Sequence, residues 1–243
     1  MFWRAIRSVV IFAGGALAGI LWAPHSDRLP SLPVPRAEAH EAIARPSSTS
    51  GREIATRALA STVFLHGGSV YGAGVLVDRA GHVLTCDHVI DGLDHIEASF
   101  DEDAPMPVRV VARAKDVDLA LLAIDHVPEG RAPLALGKVA SLAMGDTVYA
   151  MGAPRKMRFS LSHGIVSYVS RSFDGTKYVQ TDLAANGGSS GGPVMNERGE
   201  LVGVSSFVLR GGEGLTFAVP IDYAYERFAS ELTAARSCSA AGC

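Results

Sequence analysis

The sequence has few cysteines, no excess of basic residues and no internal repeats. Each of these features limits the classes of protein to which the chain can belong. Twenty-two lysines and arginines stand against 25 aspartates and glutamates without clustering, so the composition gives no sign of nucleic-acid binding. No repeat of the solenoid type is present, which excludes a stacked repeat array. Of the three cysteines, Cys238 and Cys243 lie in the small, polar C-terminal tail, where they could pair in an oxidising compartment or remain free thiols.

The chain is instead rich in aliphatic residues and glycine. Hydrophobic residues make up 48% of 243 residues, enough for a sizeable core, and 26 glycines suit many tight turns between short strands. Short segments of strand-like composition follow one another from Thr62 to Val219, in two sets separated by a junction at 127–140. This series predicts an all-β sandwich or barrel, with a short helix over Arg52–Ala58 and a terminal helix over Ile221–Leu232.

The N-terminus carries the features of an export signal. Arg4 and Arg7 precede an uncharged apolar stretch over 8–24, so the positive end is expected to stay in the cytoplasm. We favour an uncleaved anchor in the inner membrane, because no Ala-x-Ala cleavage site ends the stretch; the alternative is a cleaved signal peptide and a secreted protein. The predicted organisation is a signal-anchor or signal peptide at 1–24, a Pro/Ser-rich linker at 25–51, a folded domain at 52–233 and a cysteine-containing tail at 234–243.

A serine flanked by glycines is the most informative feature of the chain. The segment Gly188-Ser189-Ser190-Gly191-Gly192-Pro193 surrounds Ser190 with residues that allow close approach of a reacting carbonyl. Clusters of glycine and serine also mark ordinary turns, so the motif alone leaves the function open. A serine hydroxyl is a weak nucleophile at neutral pH, and catalysis requires a histidine to take its proton and a carboxylate to orient that histidine.

His88 and Asp118 are the candidates for these two partners. His88 ends the apolar run that begins at Gly81, where a strand would hold the imidazole on a rigid scaffold. Asp118 leads directly into the apolar run Leu119–Ile124, where a charge is costly unless it is paired. The chain order His, Asp, Ser is that of the chymotrypsin-like double-barrel proteases, and it differs from the order in subtilisins.

Three other interpretations compete with this assignment. Asp116 is the rival of Asp118, but its more polar surroundings favour a solvated turn carboxylate. Ser189 is the rival nucleophile, but it is not followed by two glycines. His82, Cys86 and His88 could share one face of a strand as metal ligands, yet no fourth ligand lies near, and Cys86 is more simply a small buried residue. The sequence therefore predicts no metal and no other cofactor.

Three blocks of the chain resemble the catalytic blocks of the HtrA/Deg family of trypsin-like serine proteases. They are Val83–Ile90, Asp118–Leu122 and Gln180–Pro193, and further similarity lies in Gly72–Asp78, Gly164–Ser167 and Phe217–Ile221. The similarity covers residues 53–232. It implies a chymotrypsin/trypsin-like fold of two six-stranded β-barrels with a C-terminal helix, and a triad of His88, Asp118 and Ser190 at the barrel junction. Because the chain ends shortly after that helix, the PDZ domain of many relatives is expected to be absent.

The resemblance also implies an oxyanion hole beside Ser190. The backbone N–H groups of Gly188 and Ser190 would form it. The family usually has proline and asparagine where this chain has Gly187 and Ser189, which is expected to leave the loop freer before it binds substrate.

The same resemblance assigns the primary specificity pocket. Its base would be Ala184, and its walls would include Ser205 and Thr216. An uncharged base argues against cleavage after lysine or arginine, since the buried charge would be unpaired. Thr216 stands where the family usually has glycine, and we expect its β-branched side chain to narrow the pocket in favour of small aliphatic residues.

Two functions from different classes remain. The first is an ATP-independent serine endopeptidase that forms an acyl-enzyme and cleaves unfolded or damaged polypeptides of the cell envelope. The second is a non-catalytic, chaperone-like module that holds polypeptide on the same fold. A complete triad favours the enzyme. The expected partners are flexible polypeptides and, through the N-terminal segment, a membrane; formation of a homo-oligomer is left open.

Overall fold

The structure is a computed structural model that describes residues 49–101, 103–153, 159–184, 187–209 and 214–232. The apolar segment at 8–24, the linker up to residue 48 and the tail with Cys238 and Cys243 lie outside these ranges, so the expectations for them stay predictions. Within the described ranges, no helix is long and apolar enough to cross a membrane.

Six antiparallel strands close the first barrel. They are β1 (Thr62–Gly67), β2 (Val70–Leu76), β3 (His82–Thr85), β4 (Glu97–Phe100), β5 (Met106–Ala114) and β6 (Leu119–Ile124). The strands follow one another around the barrel as β1-β2-β3-β6-β5-β4. Every residue of β6 is buried, which explains why its sequence is continuously apolar and does not alternate.

Six further antiparallel strands close the second barrel. They are β7 (Thr147–Gly152), β8 (Ser160–Phe173), β9 (Thr176–Thr181), β10 (Pro193–Asn196), β11 (Leu201–Val208) and β12 (Thr216–Pro220). Their order is β10-β11-β12-β9-β8-β7. The predicted fold of two six-stranded barrels is therefore confirmed.

Short helices flank the barrels. Helix α1 (Gly51–Ser61) begins at Ser50, whose hydroxyl accepts a hydrogen bond from the Glu53 N–H at 3.2 Å, and it buries Ile54 and Ala58. A single helical turn, α2 (Asp87–Ile90), follows β3. Helix α3 (Ile221–Arg227) follows β12, and after a bend at Phe228 residues 229–232 are helical again. The predicted terminal helix is thus present but interrupted.

The two barrels meet along a seam of backbone contacts. The N–H of Ala73 in β2 donates to the carbonyl of Ser190 at 2.8 Å, and the thiol of Cys86 donates to the carbonyl of Ser205 at 3.2 Å. Gly191 has a φ of 86°, and a Cβ there would lie 2.0 Å from the carbonyl oxygen of Ala73. Glycine at position 191 is therefore what lets the loop before β10 reach the first barrel.

Candidate active site

His88 sits in the helical turn α2 at the end of β3. Val89 and Ile90 are buried and anchor this turn in the core, whereas half of the His88 side chain is exposed. Nδ1 of His88 lies 2.9 Å from Oδ2 and 3.0 Å from Oδ1 of Asp118. Because a carboxylate only accepts hydrogen bonds, Nδ1 carries the proton of this pair, and Nε2 is the acceptor nitrogen of the neutral ring.

Asp118 collects hydrogen bonds from both barrels. It follows the 3₁₀ turn Lys115–Val117 and has a left-handed backbone conformation with a φ of 55°, which aspartate adopts more readily than most residues. Besides the His88 ring, its carboxylate accepts the backbone N–H of His88 at 3.0 Å and the hydroxyl of Ser206 at 2.7 Å. The carboxylate thus fixes His88 by ring and backbone at once.

These contacts shift the pKa values of both groups in opposite directions. Burial acts to raise the pKa of Asp118, but the hydrogen bonds from His88 and Ser206 outweigh it, and the pKa is lowered. The hydrogen bond to Asp118 raises the pKa of His88 above its ordinary value of 6.5 despite partial burial. The pair therefore stabilises an imidazolium beside an ionised carboxylate, which is the charge state that a general base passes through.

Ser190 faces the same cavity from the second barrel. The cavity has a volume of about 750 Å³ and is lined by His88, Asp118 and Ser190 together with residues of β9 and β11. Within the described part of the chain, the hydroxyl of Ser190 donates a hydrogen bond to the backbone carbonyl of Ser206 at 2.9 Å. The structure thus brings the three predicted residues to one cavity, with the serine hydroxyl held on the neighbouring strand.

The loop before Ser190 contains one glycine that is required and one that is not. Gly188 has a φ of 99°, and a Cβ there would lie 2.2 Å from the carbonyl oxygen of Ala153 and 2.8 Å from the Tyr71 ring. A Cβ at Gly187 would meet no described residue within 4 Å. Neither the Gly188 nor the Ser190 N–H donates a hydrogen bond to another described residue. Among the described residues the two N–H groups therefore have no acceptor, and their assignment to the oxyanion hole stays a prediction.

Ser206 is a site residue that sequence reasoning missed. Its hydroxyl bonds to Asp118, and its carbonyl accepts the hydroxyl of Ser190. Ser205 and Ser206 are buried polar residues in β11, an otherwise apolar strand. Because buried hydroxyls require partners, this pair of serines was the signal that could have identified Ser206.

Two of the three predicted pocket residues line a second cavity next to Ser189. This cavity has a volume of about 200 Å³, its wall includes Ala184 and Ser205, and none of its lining residues in the described ranges is charged. Thr216 does not line it. Its hydroxyl donates to the carbonyl of Leu183 at 2.7 Å, and its side chain is buried. This hydrogen bond holds the side chain against Leu183, which does line the cavity, and the expectation that Thr216 narrows the pocket stays a prediction.

An aromatic cluster forms the apolar side of the larger cavity and was not predicted. It comprises Phe173, Tyr178, Phe207 and Phe217, and we call it the aromatic wall. The rings of Tyr178 and Phe207, which line the cavity, meet edge to face at 5.2 Å, and Phe217 stacks behind Phe207 at 4.9 Å. Such packing fixes the rings and leaves an apolar surface beside His88.

The rival residues have other roles. Asp116 is 60% exposed, as expected, but its carboxylate pairs with Arg227 of α3. His82 bonds to Asp78 at 2.6 Å. Ligand atoms of Cys86, His88 and Asp118 do lie within 4.8 Å of one another, a spacing that could hold a metal ion. Burial raises the pKa of the Cys86 thiol well above its ordinary value, however, and so disfavours the thiolate that metal binding requires.

Comparison with known proteins gives the family. Residues 72–204, more than half of the chain, match the family model of the trypsin-like peptidase domain. The chain is 38% identical over 163 residues, 64% of its length, to a probable periplasmic serine endoprotease DegP-like of Pseudomonas savastanoi pv. phaseolicola. It is 34% identical over 162 residues, 63% of its length, to a putative serine protease HhoA of Synechocystis. The matches span 33% and 41% of these two relatives.

Solved structures agree with this result. The chain superposes on the HtrA-type protease AlgW with tripeptide at a TM-score of 0.69, with 29% identity, over 76% of this chain and 63% of the other. A serine endoprotease from Yersinia pestis gives a TM-score of 0.65 at 28% identity, over 74% of this chain and 66% of the other. The chain therefore belongs to the trypsin-like peptidase family, and its resemblance to HtrA/Deg proteases is confirmed.

Proposed function

We propose that the protein is a serine endopeptidase in which His88, Asp118 and Ser190 form the catalytic triad. The observation that carries the proposal is the cavity at the barrel seam, where a histidine bonded to a partly buried carboxylate lies with a glycine-flanked serine. A histidine polarised by a carboxylate next to a serine is the arrangement that activates a hydroxyl for acyl transfer.

In the proposed reaction Nε2 of His88 takes the proton of Ser190, whose oxygen attacks the peptide carbonyl. The Ser190 hydroxyl must first leave the carbonyl of Ser206 and turn towards His88. The N–H groups of Gly188 and Ser190 would bind the oxyanion, and the protonated His88 would then donate its proton to the leaving amine. Water, activated by His88, releases the acyl group. This route requires no nucleotide and no metal.

The substrates that we propose are unfolded or damaged polypeptides. A double-barrel peptidase binds its substrate as an extended strand, a conformation that flexible chains reach at little cost. The larger cavity has the aromatic wall, and the second cavity around Ala184 has no charged lining among the described residues. Both surfaces suit apolar side chains, which folded proteins bury. The relatives are named as endoproteases, which is consistent with cleavage within chains.

We also propose an extracytoplasmic location, with the segment at 8–24 as a membrane anchor. The sequence carries the argument, because Arg4 and Arg7 precede the apolar stretch and a proline-rich linker follows it. Relatives named periplasmic support the compartment. Alkaline carbonate washing of membranes tests the anchor: the full-length chain should stay in the pellet. Release of the full-length chain, or a mature protein that starts beyond residue 23, would mean that the anchor is wrong and that the protein is secreted.

A binding module without turnover is the second candidate. The observation that favours it is the hydrogen bond of the Ser190 hydroxyl to the Ser206 carbonyl, since a serine held there is not engaged with His88. Such a protein would hold polypeptide in the cavity and release it intact.

Labelling with a serine-reactive fluorophosphonate separates the two candidates. An active triad should react with the probe in the wild-type protein and fail to react after Ser190→Ala, with Ser189→Ala as the control for the neighbouring hydroxyl. Casein cleavage should fall with the same variant by about 10⁴- to 10⁶-fold. Unlabelled wild-type protein that still suppresses aggregation of an unfolded client would support the binding module.

A further inference from the structure

Arg113 holds both ends of the helical turn that carries His88. It lies in β5, and its guanidinium forms a bidentate ion pair with Asp87, the first residue of α2, with Nη2 2.8 Å from Oδ2. The same Nη2 lies 2.6 Å from Oδ1 of Asp91, the residue that ends α2. One side chain from a barrel strand therefore spans the whole turn.

The start of the turn is also held by two hydrogen bonds to Asp118: the N–H of Asp87 donates to its carbonyl at 3.3 Å, and the N–H of His88 donates to its carboxylate at 3.0 Å. Neither bond reaches Asp91 at the other end of the turn. Helix α2 has four residues, too few to be stable by itself, and the side chain of Cys86 at its N-cap makes no capping hydrogen bond to the helix. The side chain of Asp87 is 9% exposed, and a carboxylate this buried is costly without a partner. The half-exposed side chain of His88 is not confined by packing. The alignment of the imidazole thus depends on how firmly the backbone of α2 is held.

We propose that Arg113 is a positioning residue for His88, clamping α2 to the first barrel so that the imidazole stays aligned between Asp118 and Ser190. The catalytic consequence rests on the proposed function, whereas the effect on the His88–Asp118 pair does not. A shift of about 1 Å in a reacting group can cost about 100-fold in rate, so a loosened turn is expected to act through kcat.

The clamp also sets the charge near His88. The charged groups that face His88 are Asp118 from the loop before β6 and Asp87 from α2, and both raise its pKa. Tyr178 of β9 lines the same cavity. Arg113 neutralises Asp87, so loss of the guanidinium should raise the pKa of His88 further, whereas Asp87→Asn should lower it.

The test compares Arg113→Lys with Arg131→Lys in the full-length chain. Lysine keeps the charge but cannot contact Asp87 through two nitrogens and reach Asp91 as well. Arg131 is the matched control, because it forms an ion pair with Asp103 at 2.8 Å on the same barrel and does not line the cavity. The double variant Asp87→Asn/Arg113→Gln removes both charges and thereby any buried unpaired charge.

The first readout is the Nδ1–H proton resonance of His88 by NMR, identified by its loss in His88→Gln. It should broaden or move in Arg113→Lys and stay in place in Arg131→Lys. This readout does not depend on catalysis, so it tests the clamp even if the wild-type protein fails to react with fluorophosphonate. An unchanged resonance and an unchanged His88 titration in Arg113→Lys would overturn the proposal.

The second readout is steady-state kinetics with a peptide substrate. We expect Arg113→Lys to lower kcat about 10- to 100-fold with KM changed less than about twofold, and Arg131→Lys to leave kcat unchanged. Compared with Arg113→Lys, the double variant Asp87→Asn/Arg113→Gln should have a higher melting temperature but a kcat that is no higher. If kcat returned together with stability, Arg113 would serve only to compensate a buried charge, and the positioning role would be wrong.

Discussion

Ser206 donates its hydroxyl to Oδ2 of Asp118 at 2.7 Å, and this bond joins the second barrel to the carboxylate of the candidate triad on the first. The carbonyl of the same residue accepts the hydroxyl of Ser190 at 2.9 Å. One residue of β11 thus contacts both the acid and the proposed nucleophile. Ser206 therefore links the positions of the carboxylate on the first barrel and the serine hydroxyl on the second.

Loss of the Ser206 hydroxyl should therefore weaken catalysis without unfolding the protein. A hydrogen bond to a charged group is worth about 1.5 to 3 kcal/mol, so Ser206→Ala should lower kcat/KM about 10- to 100-fold. Ser141→Ala is the control, because that exposed hydroxyl bonds only to the Lys138 carbonyl, far along the chain from the triad. Wild-type kcat/KM in a folded Ser206→Ala protein would show that the bond to Asp118 does not contribute.

The raised pKa of His88 predicts where activity is lost on acidification. A general base must be neutral, so kcat/KM should fall as the pH drops through the pKa of His88, which lies above 6.5. The same shift means that the ion pair stabilises the fold between the lowered pKa of Asp118 and the raised pKa of His88, and that this contribution fades as the pH rises through the His88 pKa. A pH profile of kcat/KM with an uncharged peptide checks the direction of the shift. An acid limb centred at or below pH 6.5 would contradict a raised pKa of His88.

The fold could be predicted from the sequence because each strand carries a local signal. All twelve predicted strands exist, and the fully buried β6 is where the continuous apolar run Leu119–Ile124 indicated it. The ends were less accurate. Strands β8 and β9 run on to a tight turn at Asp174 and Gly175, both with positive φ, although this Asp-Gly signal was available in the sequence. Helix α3 was expected to continue to Leu232, but the chain bends at Phe228.

The site residues that lie in sequence motifs could be predicted, and those defined by contacts between distant segments could not. His88, Asp118 and Ser190 were selected by their neighbours in sequence, and the structure brings them to one cavity. Ser206 and Arg113 act through partners that are distant in the chain, 88 and 26 residues away. The two serines in the apolar strand β11 indicate that Ser206 needs a partner but do not identify that partner, and no local pattern identifies the partners of Arg113. The hydrogen bond of Thr216 could not be predicted for the same reason, because it depends on the carbonyl of Leu183 on another segment.

The two glycines before Ser190 should respond oppositely to the same substitution. Gly188→Ala places a Cβ against the Ala153 carbonyl at a backbone conformation that alanine avoids, so activity should be lost. Gly187→Ala meets open space and reduces the entropy lost when the loop orders, a gain of about 0.4 to 1 kcal/mol. Basal peptide hydrolysis should therefore be kept or raised, and Gly187→Pro should act in the same direction where the backbone tolerates it. Lower activity of a folded Gly187→Ala protein would refute this account of the loop.

Specificity should be set by the absence of charge at Ala184. The described residues around the 200 Å³ cavity offer no carboxylate, so lysine or arginine at the cleaved bond would bury an unpaired cation, and cleavage should occur after uncharged apolar residues. The finer preference for small aliphatic residues over aromatic ones rests on Thr216, whose hydroxyl donates to the carbonyl of Leu183, and it stays a prediction.

Profiling with a mixed peptide library tests the assignment of Ala184, and a substitution sharpens it. Ala184→Asp should raise kcat/KM for substrates with arginine or lysine at the cleaved bond, because the new carboxylate would pair with the buried cation. Ala184→Asn has nearly the same size and no charge, so it separates charge from volume. If wild-type protein cleaved mainly after basic residues, or if the aspartate and asparagine variants behaved alike, Ala184 would not lie at the base of the pocket.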